Sequence, residues 1–379
     1  MKQVMKIGFD AKRAFLNSSG LGNYSRNTLN ALQKYFPGNS YQLFTPEITD
    51  KLFKNYKKFQ VFSPRGFIAK NINPLWRSVL LLSQLRRNDV ELFHGLSNEL
   101  PKGIDKSKIP AVVTIHDLIF MRYPEFYNII DRKIYFKKVR NACHAATKII
   151  AISRQTKQDI VSFLQIPPEK IELIYQPVSS VFFEKQNTDE ALKKYDLPGD
   201  FILSVGTLEP RKNQLSILQA LHAQKIKTKI VFVGKQNAPY FKEMMQFIAE
   251  HEMSKQVMFL SDLPEEELAA LYRAALFSVY ISVFEGFGLP VIEAMASRCP
   301  VITSTVSVLP ETAGDAALLC NPAQIEDIGE KLKILTESRE LQDTLIQKGK
   351  KRAEQFHPEI YARQLISLYT EIVNAEHAK

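Results

Sequence analysis

A chain of 379 residues with 45% hydrophobic residues is long enough for about two domains with sizeable cores, and too apolar to be disordered. Its net charge of +10 sits in the first half: residues 1–180 hold 28 Lys and Arg against 13 Asp and Glu, whereas residues 181–379 hold 22 against 27. Neither a zinc finger, a basic zipper nor an RNA-recognition aromatic signature accompanies that charge, which argues against nucleic acid as a partner, and three scattered cysteines (Cys143, Cys299, Cys320) form neither a disulfide framework nor a zinc site and suggest a reducing compartment.

In chain order, Met1 to Asp10 lacks the long apolar core of a secretion signal and reads as a first strand, which argues against export. The chain has no 18-residue apolar run, so no membrane span is expected. Met5–Phe9, Tyr41–Thr45, Val90–Phe93, Ala111–Ile115 and Lys148–Ile152 are strand-like runs with helical patterns between several of them. A helix is expected to open at Asn73-Pro74, with Asn as cap and Pro in the first turn. The stretch from Lys51 to Phe59 puts Leu52, Tyr56 and Phe59 on one helical face among four lysines, and Arg132 to Arg140 is similar. Such segments can rest on anionic lipid; the alternative is an aromatic core face with a solvated lysine face.

Ile171–Tyr175, followed by Gln176 to Ser180 and a charged stretch from Glu184, marks a domain junction at 180/181. A second series of strands follows at Phe201–Val205, Ile230–Val233, Val257–Leu260, Leu276–Val283 and Val301–Ser304. Asp262 with Glu265 three residues on suggests a capped helix that buries Leu268, Leu271, Tyr272 and Ala275. An amphipathic helix from Pro358 to about Ala375 closes the chain. The alternation predicts an α/β protein with two doubly wound, Rossmann-like domains facing across a cleft.

Two segments of the second half carry chemistry. In the stretch from Ser282 to Glu293, a strand runs into a turn holding Glu285, Gly286, Phe287 and Gly288, then into a helix with Leu289, Pro290 and Glu293 in its first turn. Glycines let the backbone approach a ligand, and the free N–H groups of a helix start favour an anion. Two carboxylates beside an anion site suit sugar hydroxyls on either side of a diphosphate; alternatively Glu285 is a loop residue and Glu293 a first-turn acid that complements the helix dipole. The segment from Ser204 to Leu215 ends a buried strand at Gly206 and delivers Arg211 and Lys212 at its carboxyl edge, where they can neutralise a diphosphate or stand as an exposed basic turn.

The combination Gly-Thr-Leu-Glu-Pro-Arg-Lys-Asn (206–213) with Phe-Glu-Gly-Phe-Gly-Leu-Pro-x-x-Glu (284–293) resembles the family 4 retaining glycosyltransferases of the GT-B fold, and its closest subgroup by motif is the bacterial mannosyltransferase type. The resemblance covers nearly the whole chain, including the loop from Leu309 to Ala317. It implies that Arg211 and Lys212 hold the diphosphate of a nucleotide-sugar donor, that Glu293 holds the ribose hydroxyls, and that Glu285 with the 286–289 backbone holds the transferred sugar. It further implies that Ser19 to Tyr24, with Gly20 and Gly22, is a glycine loop closing over the donor. That segment nearly spells a dinucleotide fingerprint, but about ten residues separate it from Phe9, too many for a turn leading directly from strand to helix. At the end of the strand Ala111–Ile115, His116 would contact the donor sugar and Asp117 the acceptor side; a His-Asp pair alone is more often structural. His94, at a similar strand end, ranks below His116.

The resemblance favours a front-face reaction in which the leaving diphosphate helps deprotonate the acceptor. An Asp-x-Asp element is absent from the sequence, so neither a metal nor another cofactor is expected, and Arg211, Lys212 and helix N-termini must offset the leaving-group charge. The expected donor is GDP-mannose or a UDP-hexose. The expected acceptor is a glycan of bacterial surface-polysaccharide assembly, carried on a polyprenyl diphosphate at the cytoplasmic face of the membrane. The expected domains are 1–180 for the acceptor, 181–357 for the donor, and 358–379 as a helix packing back toward the first domain. A GT-B sugar-nucleotide epimerase and a polyanion-binding protein on the same scaffold remain as alternatives.

Overall fold

Short apolar runs buried on both faces favour parallel pairing, since crossover helices then cover both sides of the sheet. The computed structural model, which describes residues 4–64 and 81–378, contains two such sheets. Among the described residues the first holds β1 Lys6–Asp10, β2 Ser40–Phe44, β3 Gln60–Phe62, β4 Leu92–Gly95, β5 Ala111–Ile115, β6 Lys148–Ala151 and β7 Ile171–Leu173, in the order β3-β2-β1-β4-β5-β6-β7. The second holds β8 Phe201–Val205, β9 Lys229–Val233, β10 Val257–Leu260, β11 Phe277–Tyr280, β12 Val301–Ser304 and β13 Leu318–Cys320, in the order β10-β9-β8-β11-β12-β13. Every pairing is parallel, with Ile202 opposite Ile230 on one side of β8 and Phe277 on the other. In each sheet the strand order reverses beside the first strand, between β1 and β4 and between β8 and β11. Open α/β sheets bind ligands at the carboxyl ends of the strands flanking such a point.

The chain divides into one unit of Met1–Pro177 with Pro358–Lys379 and another of Val178–His357. The division falls just ahead of the 180/181 junction drawn from the sequence. The first unit carries 30 Lys and Arg against 16 Asp and Glu, the second 20 against 24. The final helix, Pro358–His377, belongs to the first unit by its apolar stripe: Tyr361, Ala362, Leu365, Leu368, Tyr369, Ile372 and Val373 recur at helical spacing and pack with Phe9, Phe15, Tyr24 and Leu32. Buried hydroxyls join in. Tyr361 Oη lies 2.9 Å from Thr28 Oγ1 and donates to Tyr24 Oη at 2.7 Å; Tyr24 Oη lies 3.0 Å from Thr114 Oγ1; His94 spans from Thr114 Oγ1 at 2.8 Å to Tyr369 Oη at 2.6 Å. The second core packs Ile202, Phe232, Phe277, Ile302 and Leu332 around β8.

Three local expectations are corrected, and a fourth falls outside the described residues. Lys51 to Phe59 does not form an amphipathic helix: only Lys54–Lys58 makes a 3-10 turn, Phe53 is the buried residue, Tyr56 and Phe59 pack partly on the core, and Leu52 is exposed. That turn feeds β3, an edge strand of three residues too short to announce itself. Asp262 does not cap the next helix, Glu265–Ala274, which starts after Pro264; Asp262 adopts a left-handed backbone with φ of 55°. The strand expected over 276–283 is ordered only as Phe277–Tyr280, so its last residues are free to form the loop described below. The helix expected at Asn73-Pro74 lies outside the described residues.

Candidate active site

β8 leads through Gly206 into a loop whose Pro210–Lys212 turn ends at Asn213, in left-handed conformation, before helix Gln214–Ala223. Two adjacent cations are thereby fixed at the carboxyl end of β8. From the neighbouring strand β11 the chain continues through Ser282 and Glu285 to Gly288, whose φ of 90° suits glycine, and into helix Leu289–Ala296 with Pro290 in its first turn. An added Cβ on Gly288 would lie 2.5 Å from Leu309 Cδ2, so the Leu309 side chain would also have to shift to admit one. Gly286 lies in the same turn and Leu289 opens the helix. Phe287 turns its ring inward, buried against Phe356, which leaves its backbone as the part able to meet a ligand.

Hydroxyls from β12 and the loop after it brace this segment. Thr303 Oγ1 donates to the Tyr280 carbonyl and Ser304 Oγ to that of Ser282, each at 2.7 Å. Ser307 Oγ accepts from the Glu285 N–H at 3.1 Å and donates to the Glu285 carbonyl at 3.0 Å, and Thr312 Oγ1 donates to the Phe287 carbonyl. Glu285 is therefore held by its backbone as well as its side chain.

At the point where β8 and β11 diverge, the side chains meet. Glu285 Oε1 accepts from Arg211 Nη1 at 2.8 Å and from Lys212 Nζ at 2.6 Å. Arg211 also donates to the Phe284 carbonyl at 2.8 Å and to Glu209 Oε1 at 2.5 Å, while Lys212 Nζ lies 2.6 Å from Tyr280 Oη and 5.0 Å from its ring centroid. Two cations face two carboxylates, so the cluster is charge-balanced. Burial opposes the charge of Glu285, yet Lys212 and Arg211 keep its carboxyl below the usual range, so it is ionised. Burial likewise pulls Lys212 down, with Glu285 pulling it back up, and burial of Arg211 is outweighed by Glu285 and Glu209, which raise it.

Glu293 behaves in the opposite way. It lies on the helix after the turn, and burial, reinforced by Glu265, pushes its pKa up to about 8. The buried Tyr272 hydroxyl lies near it and opposes part of that rise. Glu293 is therefore a neutral acid at pH 7 in this state, poised to ionise if donors reach it.

In the first unit His116 directly follows β5 and is 4% exposed. Its Nε2 donates to the Leu96 carbonyl at 2.9 Å, its ring stacks edge-on against Tyr24, and burial lowers its pKa to about 4. A neutral imidazole with one nitrogen committed can offer a hydrogen bond but is a poor proton carrier at neutral pH. Asp117 accepts from the Ile119 N–H at 3.2 Å and so shapes the turn into helix Ile119–Arg122. His94 is wholly occupied by Thr114 and Tyr369, with burial lowering its pKa to about 3; it is a core residue.

Gly20 and Gly22 do not lie in a loop. They occupy the first turn of helix Gly20–Tyr35, and the interval after β1 is filled by a short helix, Lys12–Leu16. Gly22 is required for packing, because a Cβ there would stand 1.8 Å from the Asn17 carbonyl oxygen, whereas Gly20 has open space. Glycine to alanine inside a helix ordinarily stabilises by up to about 1 kcal/mol. At Gly22 the sign should reverse, with Gly22→Ala losing about 2 kcal/mol or more in denaturant unfolding while Gly20→Ala keeps or slightly raises the midpoint. Equal midpoints for the two variants would refute this packing.

Comparison with known proteins bears on the family and the fold. The family model described as Glycosyltransferase Family 4 matches residues 18–180, and the model for glycosyl transferases group 1 matches residues 185–352. O-antigen chain mannosyltransferase B of Escherichia coli is 27% identical over 383 residues, spanning 96% of this chain and 99% of that protein. O-antigen chain mannosyltransferase RfbU of Salmonella typhimurium is 30% identical over 212 residues, 55% of this chain and 56% of that one. The chain belongs to the family 4 glycosyltransferases. Its fold is GT-B, as in the Anabaena HepE structure in complex with UDP, which superposes with a TM-score of 0.77 at 17% identity over 97% of this chain and 100% of that one.

Several residues around the glycosyltransferase's site escaped the sequence reading: Glu209 and Tyr280 beside the two cations, Tyr272 beside Glu293, and Ser307 and Thr312 behind the turn. The hydroxyl-rich Thr303-Ser-Thr-Val-Ser307 after a buried strand was the available signal for the bracing residues. Tyr280 and Tyr272 gave none, since an aromatic in a strand or on a helical face is usually core.

Proposed function

We propose that this glycosyltransferase moves mannose, with retention and without a metal ion, from GDP-mannose to a glycan in bacterial surface-polysaccharide assembly. The observation that carries this reading is Glu285 held between Arg211 and Lys212 at the switch point of the second sheet. A carboxylate bound by two cations is a weak nucleophile, which favours the front-face route over a covalent glycosyl-enzyme. Arg211 and Lys212 then take up the charge developing on the leaving diphosphate, and Glu285 offsets oxocarbenium-like charge on the sugar. Glu293 takes the ribose hydroxyls. His116 serves as a neutral hydrogen-bond partner for sugar, and Asp117 belongs to acceptor recognition. The choice of mannose is supported by the E. coli and Salmonella mannosyltransferases, with a UDP-hexose as the alternative.

The acceptor is a glycan carried on a polyprenyl diphosphate, and the protein works at the cytoplasmic face of the membrane. The excess of Lys and Arg in the first unit supports that placement. Among the described residues no helix is long and apolar enough to cross a membrane, so contact would be peripheral.

A thermal-shift screen tests the donor. GDP-mannose should raise the unfolding midpoint more than UDP-glucose does, since a ligand bound only by the folded state stabilises it. Transfer to a lipid-linked acceptor should continue in EDTA. A larger shift with UDP-glucose would reassign the donor, and activity lost in EDTA but restored by Mg²⁺ or Mn²⁺ would refute metal independence.

A further inference from the structure

Helix Ile129–Ala145 carries a surface that the transfer chemistry does not use. It is firmly built: Asn128 Oδ1 caps it by accepting from the Asp131 N–H at 2.8 Å, and Val139, Ala142 and Cys143 are buried against β5 and β6 residues such as Val113 and Ile149. Phe136 is partly buried in the same cluster, and Tyr135 leans on Phe120 and Tyr127. On the opposite side no described residue covers the helix. Ile130, Ile134, Lys137 and Asn141 follow one another at intervals of four and three residues, all exposed, directly opposite the buried stripe.

Isolated exposed apolar residues are ordinary, but a cluster is informative. Of the eleven large hydrophobic residues recorded as exposed among the described residues, four lie between positions 129 and 135: Ile129 at 67%, Ile130 at 72%, Ile134 at 44% and Tyr135 at 43%. Basic groups flank them. Lys133, Lys137 and Arg140 are exposed and make no recorded ion pair among the described residues, while Lys138 is 3.4 Å from Glu99. The helix carries one acid, Asp131, which is turned back onto its cap Asn128. Bare isoleucines ringed by unpaired cations match an anionic bilayer, whose interface accepts the apolar side chains and whose phosphates meet the cations. A solvated helix would have no use for outward isoleucines, and the cations disfavour apposition of two copies of this face.

We infer that the outer face of helix Ile129–Ala145 is the membrane-contacting surface, with Ile130 and Ile134 inserted at the interface of an anionic bilayer and Lys133, Lys137 and Arg140 on lipid phosphates. This rests on the membrane placement proposed above and assigns it to particular residues.

Co-sedimentation of the whole protein with phosphatidylcholine vesicles, with and without phosphatidylglycerol, provides the test. The parent should bind the vesicles containing phosphatidylglycerol, and binding should weaken as salt screens the cations. Ile130→Ser with Ile134→Ser should lower the partition coefficient roughly tenfold, and Lys133→Gln with Lys137→Gln should lower it mainly at low salt. The unfolding midpoint and the donor-induced shift should not change in either variant. A parent that ignores both kinds of vesicle would overturn the membrane placement and this surface with it. Binding by the parent that is unaltered in both variants would overturn the surface alone. A soluble dimer of the parent that the isoleucine substitutions dissociate would give the face to a second copy instead.

Discussion

Lys212→Ala should abolish the donor-dependent rise in unfolding midpoint and lower kcat/KM by about a hundredfold to a thousandfold, the usual cost of one electrostatic contact to a developing anion. The charge count explains the size of the effect. Without donor, Arg211 and Lys212 balance Glu209 and Glu285. A nucleotide diphosphate brings about two further negative charges into this buried corner, so the cations are shared even in the parent protein. Removing Lys212 leaves one cation among three anionic groups and takes the amine from Tyr280 as well. The variant should still fold, because Glu285 keeps Arg211 and the bonds of its backbone to Ser307. Arg211→Ala should behave alike, with an added loss of stability from the freed Phe284 carbonyl. Donor-induced shifts equal to the parent in both variants would refute the diphosphate assignment.

Glu293→Gln should separate donor recognition from stability through pH. An unperturbed glutamic acid has a pKa of 4.5, whereas burial raises that of Glu293 in the fold to about 8. Between those values the folded protein keeps a proton that the unfolded chain has shed. The stability it contributes is complete below pH 4.5, declines as the pH rises, and is lost above pH 8. Glutamine mimics the protonated acid and titrates nowhere, so the variant should gain on the parent across that window, by about a few kcal/mol at its upper end. Donor affinity should change in the opposite sense. Ribose hydroxyls that donate to a carboxylate require Glu293 to ionise on binding, so parent affinity should rise about tenfold per pH unit until pH 8 and then level off. The variant should bind weakly at every pH. Calorimetric titration with the nucleoside diphosphate across this range measures both, and a flat parent profile with undiminished binding by Glu293→Gln would remove Glu293 from the ribose site.

What the sequence disclosed and what it hid follow from element length and from distance along the chain. Five-residue strands such as Ala111–Ile115 and Phe201–Val205 are apolar but for one buried hydroxyl residue each and were placed to the residue. The three-residue edge strands Gln60–Phe62 and Leu318–Cys320 draw their order from a neighbouring strand, so their own residues carry too little pattern. Lys51 to Phe59 misled because aromatics at helical spacing also serve a 3-10 turn leading into an edge. Arg211, Lys212, Glu285 and Glu293 were legible as residue types at two strand ends, but their division into an ion-paired glutamate and a neutral one was not. That division depends on Glu209, Tyr280, Tyr272 and Glu265, which approach only after folding. Gly22 was legible as a glycine in a motif, and its physical demand came from the Asn17 carbonyl.

The return of the chain to its first unit at Pro358 sets an order of assembly during synthesis. When residue 177 has been made, Thr28, Tyr24 and His94 still lack Tyr361 and Tyr369, and the apolar face later covered by Leu365 and Ile372 is bare. The second unit is contiguous in the chain and can close as soon as residue 357 emerges. The half translated first is thus completed last, and a chain released after the ribosome stalls within the final helix would carry a folded second unit while its first unit is a client for chaperones.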